Sequence, residues 1–357
     1  MISRMVMPTA ILKSVVEKMA LGASVASDSF RWVRLEGDGS SVKFLTNTSF
    51  LDTEIIVTDV TAHEPFSFEV SGPLFKNITS LLPEENTEIL SGDGVHIRSG
   101  KSEFRLAYRE HDLQVRKILS EGISFMTIDL ENLFRSFAKV SHASGEGAGS
   151  YKEAITVAGP RLYASDGMRL STYPNTEINH ASKICLKADL LSVVAKIYKG
   201  VGTIGELSVT EGALILSCSG VTTSLRRLNL NPPDFAGVIP KGAEFCFRVG
   251  KEVFQNALCR TLVVANEKVP QTRISFDNGV MRLESESSGN VNKDEIVCEY
   301  SGPSCFLVIN PNYLLQAVRS VNDNTGAVTV KIGGANAPLV VSDEQGEHVN
   351  VIVPFRT

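Results

Sequence analysis

Six segments with helical periodicity recur at a nearly constant interval along this chain of 357 residues, and no other sequence feature constrains the fold as strongly. Apolar residues spaced three and four apart predict helices at 8–21, 72–82, 129–142, 188–199, 250–264 and 310–321. The first, third and fifth segments begin about 121 residues apart, and the other three about 120 apart. We therefore expect a tandem structural repeat of three domains: 1–121, 122–240 and 241–357.

The segments between these helices have the pattern of short strands. Apolar and polar residues alternate at period two, for example in VKFLTN at 42–47 and FSFEVSG at 66–72. Gly, Asp, Asn and Ser bound most of these segments, as is typical of turns between strands. Each third of the chain is thus predicted to combine several strands with two helices, and the fold class is α+β.

Composition excludes several kinds of protein. Hydrophobic residues make up 43% and charged residues 21%, an ordinary globular balance. No apolar stretch is long enough for a membrane span, and the N-terminal residues lack the pattern of a secretory signal, so we expect a cytoplasmic protein without a membrane partner. The cysteines form no CxxC pair, so we expect no metal and no cofactor, and instead buried reduced thiols at Cys185, Cys218, Cys246, Cys259, Cys298 and Cys305.

The sequence favours a protein that is not an enzyme. Its six histidines are scattered, with no HExxH spacing. The segment from Gly94 to Ser102 places five residues between its glycines where a phosphate-binding loop needs four. No other motif assigns a catalytic residue, so we predict none.

Charge is distributed unevenly between the predicted helices and the rest of the chain. The net charge is −5, yet the six helices carry ten basic and five acidic residues, which leaves −10 for the remainder. Two interpretations stay open: a solvated helix face, or a helical surface that faces a polyanion such as DNA. In the second interpretation the DNA-facing residues are Lys13, Lys18, Lys76, Arg135, Lys139, Lys196, Lys199, Lys251, Arg260 and Arg319.

Five short motifs follow one another at fixed distances in the last two thirds of the chain. They are RLYASDGMRL at 161–170, NPPDFAGVIP at 231–240, NEK at 266–268, NPNYLL at 310–315 and VIVPFRT at 351–357. In this order they resemble landmarks of the bacterial beta sliding clamps, the beta subunit of DNA polymerase III. The first is similar to the clamp segment A-T-D-G-H-R-L and the second to Y-P-D-Y-x-x-V-x-P, so the chain is identified as a divergent member of that family.

The resemblance implies three tandem repeats of the DNA clamp fold, each with two helices packed on antiparallel sheets, and a head-to-tail homodimeric ring. Twelve helices of about 10 Å width would leave a clear bore of roughly 28 Å, wide enough for duplex DNA. The resemblance also implies a non-catalytic processivity factor for a DNA-directed DNA polymerase. Its expected partners are encircled duplex DNA, the replicative polymerase, a clamp loader, other proteins with clamp-binding peptides, and a second copy of the chain.

The resemblance further implies a pocket that receives a short apolar peptide from these partners. The matching positions are Val157, Ser165, Gly167, Met168, Arg169, Leu170, Pro233, Val238, Val269, Asn310, Tyr313, Val351, Val353, Pro354, Phe355 and Arg356. An alternative interpretation of Leu170, Val351 and Val353 is that they are core residues of strands.

The chain departs from the family pattern at several positions. Met168 replaces a histidine, Gly237 stands where an arginine is common, and the chain ends in Thr357 rather than leucine. The loop at 22–27 lacks the arginine that such clamps often present to DNA. Two alternative functions therefore stay open: a strand-rich structural or assembly protein, and a clamp homologue that does not close a ring.

Overall fold

The structure, a computed structural model, describes residues 3–24, 31–62, 64–83, 85–109, 124–147, 149–178, 180, 182–242, 245–321, 326–334, 336–343 and 345–356. Its helices are α1 (Thr9–Ser24), α2 (Gly72–Ser80), α3 (Leu130–Ser141), α4 (Ala188–Tyr198), α5 (Phe235–Val238), α6 (Lys251–Val264) and α7 (Pro311–Ser320). Six of them lie within two or three residues of the predicted bounds. The four-residue helix α5 was not predicted, because its single turn is too short to show periodicity.

The strands fall into three successive series. The first comprises β1 (Arg4–Pro8), β2 (Trp32–Gly37), β3 (Val42–Asn47), β4 (Leu51–Val57), β5 (Thr61–Ala62), β6 (Phe66–Ser71), β7 (Asn86–Ser91), β8 (Val95–Ser99) and β9 (Ser102–Leu106). The second comprises β10 (Met126–Asp129), β11 (Ala154–Ala158), β12 (Arg161–Ser165), β13 (Arg169–Pro174), β14 (Ile184–Lys187), β15 (Ile204–Val209), β16 (Ala213–Cys218) and β17 (Val221–Arg226).

The third series comprises β18 (Phe245–Gly250), β19 (Thr272–Asp277), β20 (Val280–Ser287), β21 (Asn290–Val297), β22 (Glu299–Ser301), β23 (Cys305–Ile309), β24 (Ala327–Ile332), β25 (Leu339–Ser342) and β26 (Val349–Ile352). Each series has the same order around its two long helices. A first strand precedes the first helix, a three-strand meander follows, one strand precedes the second helix, and a second meander ends the series.

Burial confirms the repeat at the level of single side chains. In α1 the buried positions include Leu12, Val15, Val16 and Met19. The residues 121 and 242 positions further on are buried as well, and they are Leu133, Ser136, Phe137, Val140, Phe254, Ala257, Leu258 and Thr261. The α+β class and the tandem repeat predicted from the helix spacing are therefore confirmed.

The chain packs as two compact units. The first consists of residues 1–134 and 189–227, and the second of residues 135–188 and 228–357. The middle third contributes to both units, so these units do not coincide with the three predicted domains. The boundaries 1–121, 122–240 and 241–357 stay a prediction.

The first unit contains two antiparallel sheets. One has the order β5-β1-β7-β8-β9, and the other has the order β10-β15-β16-β17-β4-β3-β2-β6. In the larger sheet, β17 of the second series pairs with β4 of the first, with Thr223 opposite Thr53. This ladder joins two repeats into one continuous sheet. Residues of α1 pack on that sheet, where Leu12, Val16 and Met19 are fully buried.

The second unit also contains two antiparallel sheets, with the orders β14-β11-β12-β13-β26-β25-β24-β18-β22 and β21-β20-β19-β23. Its core is built around three aromatic rings. The Phe247 ring centroid lies 4.7 Å from that of Phe276 and 6.0 Å from that of Phe254, and all three side chains are buried. Here β13 of the second series pairs with β26 of the third, with Leu170 opposite Val351.

The prediction of buried thiols holds for three of the six cysteines. Cys185, Cys218 and Cys298 are buried, whereas Cys259 and Cys305 are half-buried. Cys246 is exposed, and its predicted burial was wrong. In strand β18 the side chains alternate between faces, and Phe247 rather than Cys246 points into the core. Within the described ranges, no helix is both long and apolar enough to cross a membrane.

Candidate partner-binding site

The turn between β12 and β13 holds the first group of predicted pocket residues in a fixed conformation. The Asp166 carboxylate accepts hydrogen bonds from the backbone N–H of Met168 (2.8 Å) and of Arg169 (3.0 Å). Gly167 has a φ of 91°, a conformation that side chains with a Cβ rarely adopt. The Ser165 hydroxyl donates to the Arg169 carbonyl at 2.7 Å. The turn therefore presents Met168 outward, with 48% of this residue exposed.

Arg169 connects this turn to helix α7. Its Nε lies 2.9 Å from the Asp166 carboxylate, and its guanidinium lies 4.2 Å from the centroid of the Tyr313 ring. The guanidinium also donates to the side-chain oxygen of Gln316. Burial of Tyr313, aided by the negative charge of Asp166, raises the pKa of its phenol, so the ring stays neutral. The predicted pocket residues Arg169 and Tyr313 thus form one stacked, charge-assisted contact.

The C-terminal segment lies along the same surface. Strand β26 pairs with β13, and just beyond it the Val353 N–H donates to the Met168 carbonyl at 3.0 Å. The Phe355 N–H donates to the Val308 carbonyl at 2.8 Å. Pro354 between them is buried, while Val353 is 40% exposed. These bonds place Met168 and Val353 side by side, although the two residues are far apart in the sequence.

A small apolar cluster lies beneath this surface. Leu170 and Val351 are buried there together with Tyr163, Phe235 and Val340. The rings of Tyr163 and Phe235 stack at 5.4 Å, and the half-buried ring of Tyr151 meets Phe235 edge-on at 5.9 Å. The sequence reasoning missed Tyr151, Tyr163, Phe235 and Val340. The NPPDFAGVIP motif contained Phe235, but only the tertiary fold shows that it fills the space against Leu170.

The remaining predicted residues divide into three groups. Val238 and Val269 are 58% and 52% exposed, and Pro233, Gly167 and Arg356 are exposed as well. Asn310 caps helix α7, where its side chain accepts a hydrogen bond from the Asn312 N–H at 2.9 Å. Val157 is not brought to the cluster, because it pairs with Leu162 and its side chain lies on the opposite face of the sheet from Tyr163.

The arrangement suits an extended apolar ligand. Met168 and Val353 offer exposed apolar side chains that adjoin through the backbone bond between them, and the half-buried Tyr313 packs against the neighbouring Arg169. Arg169 supplies a positive charge that Asp166 and Gln316 hold in place. Apolar walls with a few fixed polar groups are characteristic of peptide-binding grooves. We call this surface the groove.

Two histidines lie behind the groove, one fully buried and one half-buried. The fully buried His348 lies 3.2 Å from the Ser171 hydroxyl, and His142 lies 3.1 Å from the Asn350 side-chain oxygen. Burial lowers the pKa of His142 to about 4, with the charge of Arg169 adding to the effect. Burial, together with the charge of Lys139, lowers the pKa of His348 to about 3. Both rings are therefore neutral at pH 7.

We expect these histidines to make the free energy of unfolding fall as the pH decreases from about 6.5 to about 4. In that range the unfolded chain binds protons at both histidines and the folded chain does not, so each contributes a slope of up to about 1.4 kcal/mol per pH unit. Chemical denaturation at several pH values measures the slope, and His348→Gln should flatten it. His96→Gln is the matched control: Asp93 and Glu103 raise the pKa of His96, so this ring is protonated in both the folded and the unfolded chain over most of this range, and its loss should leave the slope unchanged. Equal slopes in His348→Gln and the parent would contradict this account.

The ten predicted DNA-facing residues differ in environment. Six are exposed: Lys76, Arg135, Lys196, Lys199, Arg260 and Arg319. The four half-buried residues are Lys13, Lys18, Lys139 and Lys251. Each of these lysines donates a hydrogen bond to a backbone carbonyl at the C-terminal end of another helix. A cation at a helix C-terminus stabilises the fold by itself. Contact of these ten residues with DNA stays a prediction.

Comparison with solved structures defines the class of fold. The structure of the DNA polymerase sliding clamp from Bacillus subtilis superposes with a TM-score of 0.91 at 19% identity over 99% of both chains. The beta sliding clamp from C. crescentus also gives a TM-score of 0.91, at 17% identity over 100% of this chain and 99% of that one. The fold is that of a sliding clamp.

Sequence comparison points to the same group of proteins. Residues 236–356 match the family model described as DNA polymerase III beta subunit, C-terminal domain. The beta sliding clamp of Bacillus subtilis is 22% identical over 313 residues, which cover 84% of this chain and 82% of that protein. The match to the clamp of Pseudomonas aeruginosa, 23% identical over 126 residues, spans only 34% of that protein. The chain is thus similar to the beta sliding clamps over most of its length, and its residues 236–356 match the C-terminal domain of that family.

Proposed function

We propose that this protein is a processivity factor that encircles duplex DNA as a ring and tethers a DNA polymerase to it. In this proposal the protein has no catalytic activity of its own and acts in the cytoplasm. The ring slides because its contacts with DNA are phosphate-directed and independent of sequence. Tethering raises the effective concentration of the polymerase at the primer end, which is the physical basis of processivity.

The observation that carries the proposal is the repeated junction between strand series. In the first unit the end strand of one meander, β17, pairs with β4 of the preceding series. In the second unit the end strand β26 pairs with β13 of the preceding series in the same way. Both junctions are antiparallel ladders between equivalent strands.

If every junction pairs the last strand of one series with the end of the first meander of another series, one further pair of strands would join. Strand β9 of the first series corresponds to β17 and β26, and β21 of the third series corresponds to β4 and β13. Within the part of the chain that the structure describes, β9 and β21 each lie at the end of a sheet. An unpaired edge readily accepts another strand. We infer that β9 of one chain pairs with β21 of a second copy.

Two such contacts would close a head-to-tail dimer of six similar modules, with the predicted domains 1–121, 122–240 and 241–357 as the repeating unit. Heterologous contacts produce a ring when the rotation between subunits closes. Loading onto DNA then requires a separate protein that opens one contact. The exposed cations Lys76, Arg135, Lys196, Lys199 and Arg319 are the first candidates for contact with the phosphates.

In this proposal the groove receives the peptides of the partners. The polymerase, the clamp loader and other clamp-binding proteins would each present a short apolar segment along Met168, Tyr313 and Val353. Arg169 and the backbone of the C-terminal segment would orient that segment. One binding surface shared by several partners makes their access to the ring mutually exclusive on each chain.

Negative-stain electron microscopy tests the ring, and light scattering on the same sample gives the mass. We expect closed rings with a central hole and the mass of two chains. Compact particles without a hole, at a concentration where the mass is that of a dimer, would overturn the ring and favour a structural or assembly protein. Open, C-shaped particles would instead identify a clamp homologue that does not close.

A further inference from the structure

The first long helix of each series carries a basic residue at the same position. The repeat of 121 residues aligns the buried positions of α1, α3 and α6, and it places Lys18, Lys139 and Arg260 in register. All three lie one residue before an aligned buried position, namely Met19, Val140 and Thr261. The repeat therefore predicts the same surroundings for the three cations.

Two of the three cations make the same contact. In the first unit, the Lys18 ammonium donates to the carbonyl of Lys199, the residue that follows α4, at 3.5 Å. In the second unit, the Lys139 ammonium donates to the carbonyl of Ser320, the last residue of α7. Each lysine thus meets the C-terminal end of the second helix in the following series, where carbonyl groups concentrate partial negative charge.

The third cation has different surroundings. The Arg260 Nε pairs with Asp294 of β21 in its own series, and the Arg260 side chain is 54% exposed. Lys18 and Lys139 are half-buried. The residue three positions further along each helix follows the same trend, because Leu21 and His142 are half-buried whereas Val263 is 85% exposed.

The cyclic order of the contacts indicates which helix end Arg260 would meet. Helix α1 of the first series contacts the end of α4, the second long helix of the second series. Helix α3 of the second series contacts the end of α7, the second long helix of the third series. In the same order, α6 of the third series would contact the end of α2, the second long helix of the first series. At the end of α2, Leu81 is 77% exposed, whereas Val321 at the end of α7 is buried.

We propose that Arg260 docks on the C-terminal end of α2 in a second copy of this chain, with the carbonyls of Ser80 and Leu81 as acceptors. The exposed side chains of Val263 and Leu81 become buried in the same contact. This proposal rests on the head-to-tail ring proposed above, and it assigns Arg260 to the subunit junction rather than to DNA. Arginine can pair with Asp294 and donate to a carbonyl at once, because its guanidinium carries five N–H donors.

The test is the dimer dissociation constant, measured by sedimentation equilibrium. Arg260→Ala should raise it on the order of 100-fold, since each ring contains two such contacts and a charged contact of this kind is worth roughly tenfold. Arg260→Lys should restore most of the affinity, because lysine makes the contact at the two internal junctions. An unchanged dissociation constant in Arg260→Ala would overturn the proposal.

Two further variants separate the junction from the fold of the subunit. Arg282→Ala is the matched control, since Arg282 pairs with Glu295 of β21 at 2.6 Å on the sheet face opposite to Asp294. We expect its dissociation constant to equal that of the parent. Asp294→Asn removes the internal ion pair but keeps Arg260, and the dimer should persist. A monomeric Asp294→Asn variant would show that the pair acts within the subunit, and the proposal would fail.

A photo-crosslinking amino acid at position 263 tests the location of the contact. We expect covalent dimers in which the crosslinked peptide contains residues 72–82 of the second copy. Crosslinks to another segment of the second copy would overturn the docking of Arg260 on α2 while the ring stands. A parent protein that is monomeric at micromolar concentration would instead overturn the ring itself, and with it this proposal.

Discussion

Replacement of both Tyr313 and Phe355 by alanine is expected to weaken the binding of an apolar partner peptide by about 100-fold or more, while the dimer stays intact. Tyr313 provides the half-buried aromatic surface on which Arg169 stacks, at 4.2 Å. Phe355 adds a second half-buried ring, which the backbone bond from the Phe355 N–H to the Val308 carbonyl holds against β23. Aromatic side chains at the centre of a binding surface commonly contribute about 2–4 kcal/mol of the binding free energy.

Fluorescence anisotropy measures this effect, with a labelled short apolar peptide selected on a peptide array against the parent protein. Phe50→Ala is the control, because Phe50 is a partly exposed phenylalanine of the first unit, outside the groove. It should leave the affinity unchanged. Equal affinities of the double variant and the parent would show that peptides bind elsewhere on the protein.

Replacement of Phe247 by alanine is expected to lower the free energy of unfolding of the second unit by about 3–5 kcal/mol. Phe247 is fully buried between Phe254 and Phe276, and its loss would leave a cavity that a rigid sheet on one side cannot fill. Chemical denaturation followed by far-UV circular dichroism gives the midpoint of the transition, because the single tryptophan, Trp32, lies in the first unit and would not report on the second. Phe50→Ala should shift the midpoint by less than a quarter as much, and a similar shift in both variants would argue against Phe247 as the centre of this core.

The helix pattern was readable from the sequence because it depends on local periodicity. Each long helix buries one stripe of side chains, and Leu12, Leu133 and Phe254 mark that stripe at an interval of 121 residues. The interval survives although the three copies differ in sequence, because burial requires an apolar or small side chain rather than a particular one. The same periodicity could not show α5, which is only one turn long.

The groove was only partly predictable. Short motifs identified Arg169, Leu170, Tyr313 and Val351, which the structure brings together. The structure does not bring Val157 to the cluster beneath the groove, since one step along a strand moves a side chain to the other face of the sheet. Nor did the sequence indicate the roles of Tyr151 and Tyr163, because Tyr163 stacks on Phe235 and Tyr151 meets the same ring edge-on only in the folded chain.

The sequence by itself determined the repeat, the helix positions and the α+β class, because these follow from spacings within a few turns of chain. Only the tertiary structure decided which strands join the series, since β4 pairs with β17 and β13 with β26 across more than 160 residues. It also decided that Lys18 and Lys139 meet helix ends in the following series, while Arg260 stays exposed. Such contacts depend on the relative placement of distant segments, and no local pattern of residue types records that placement.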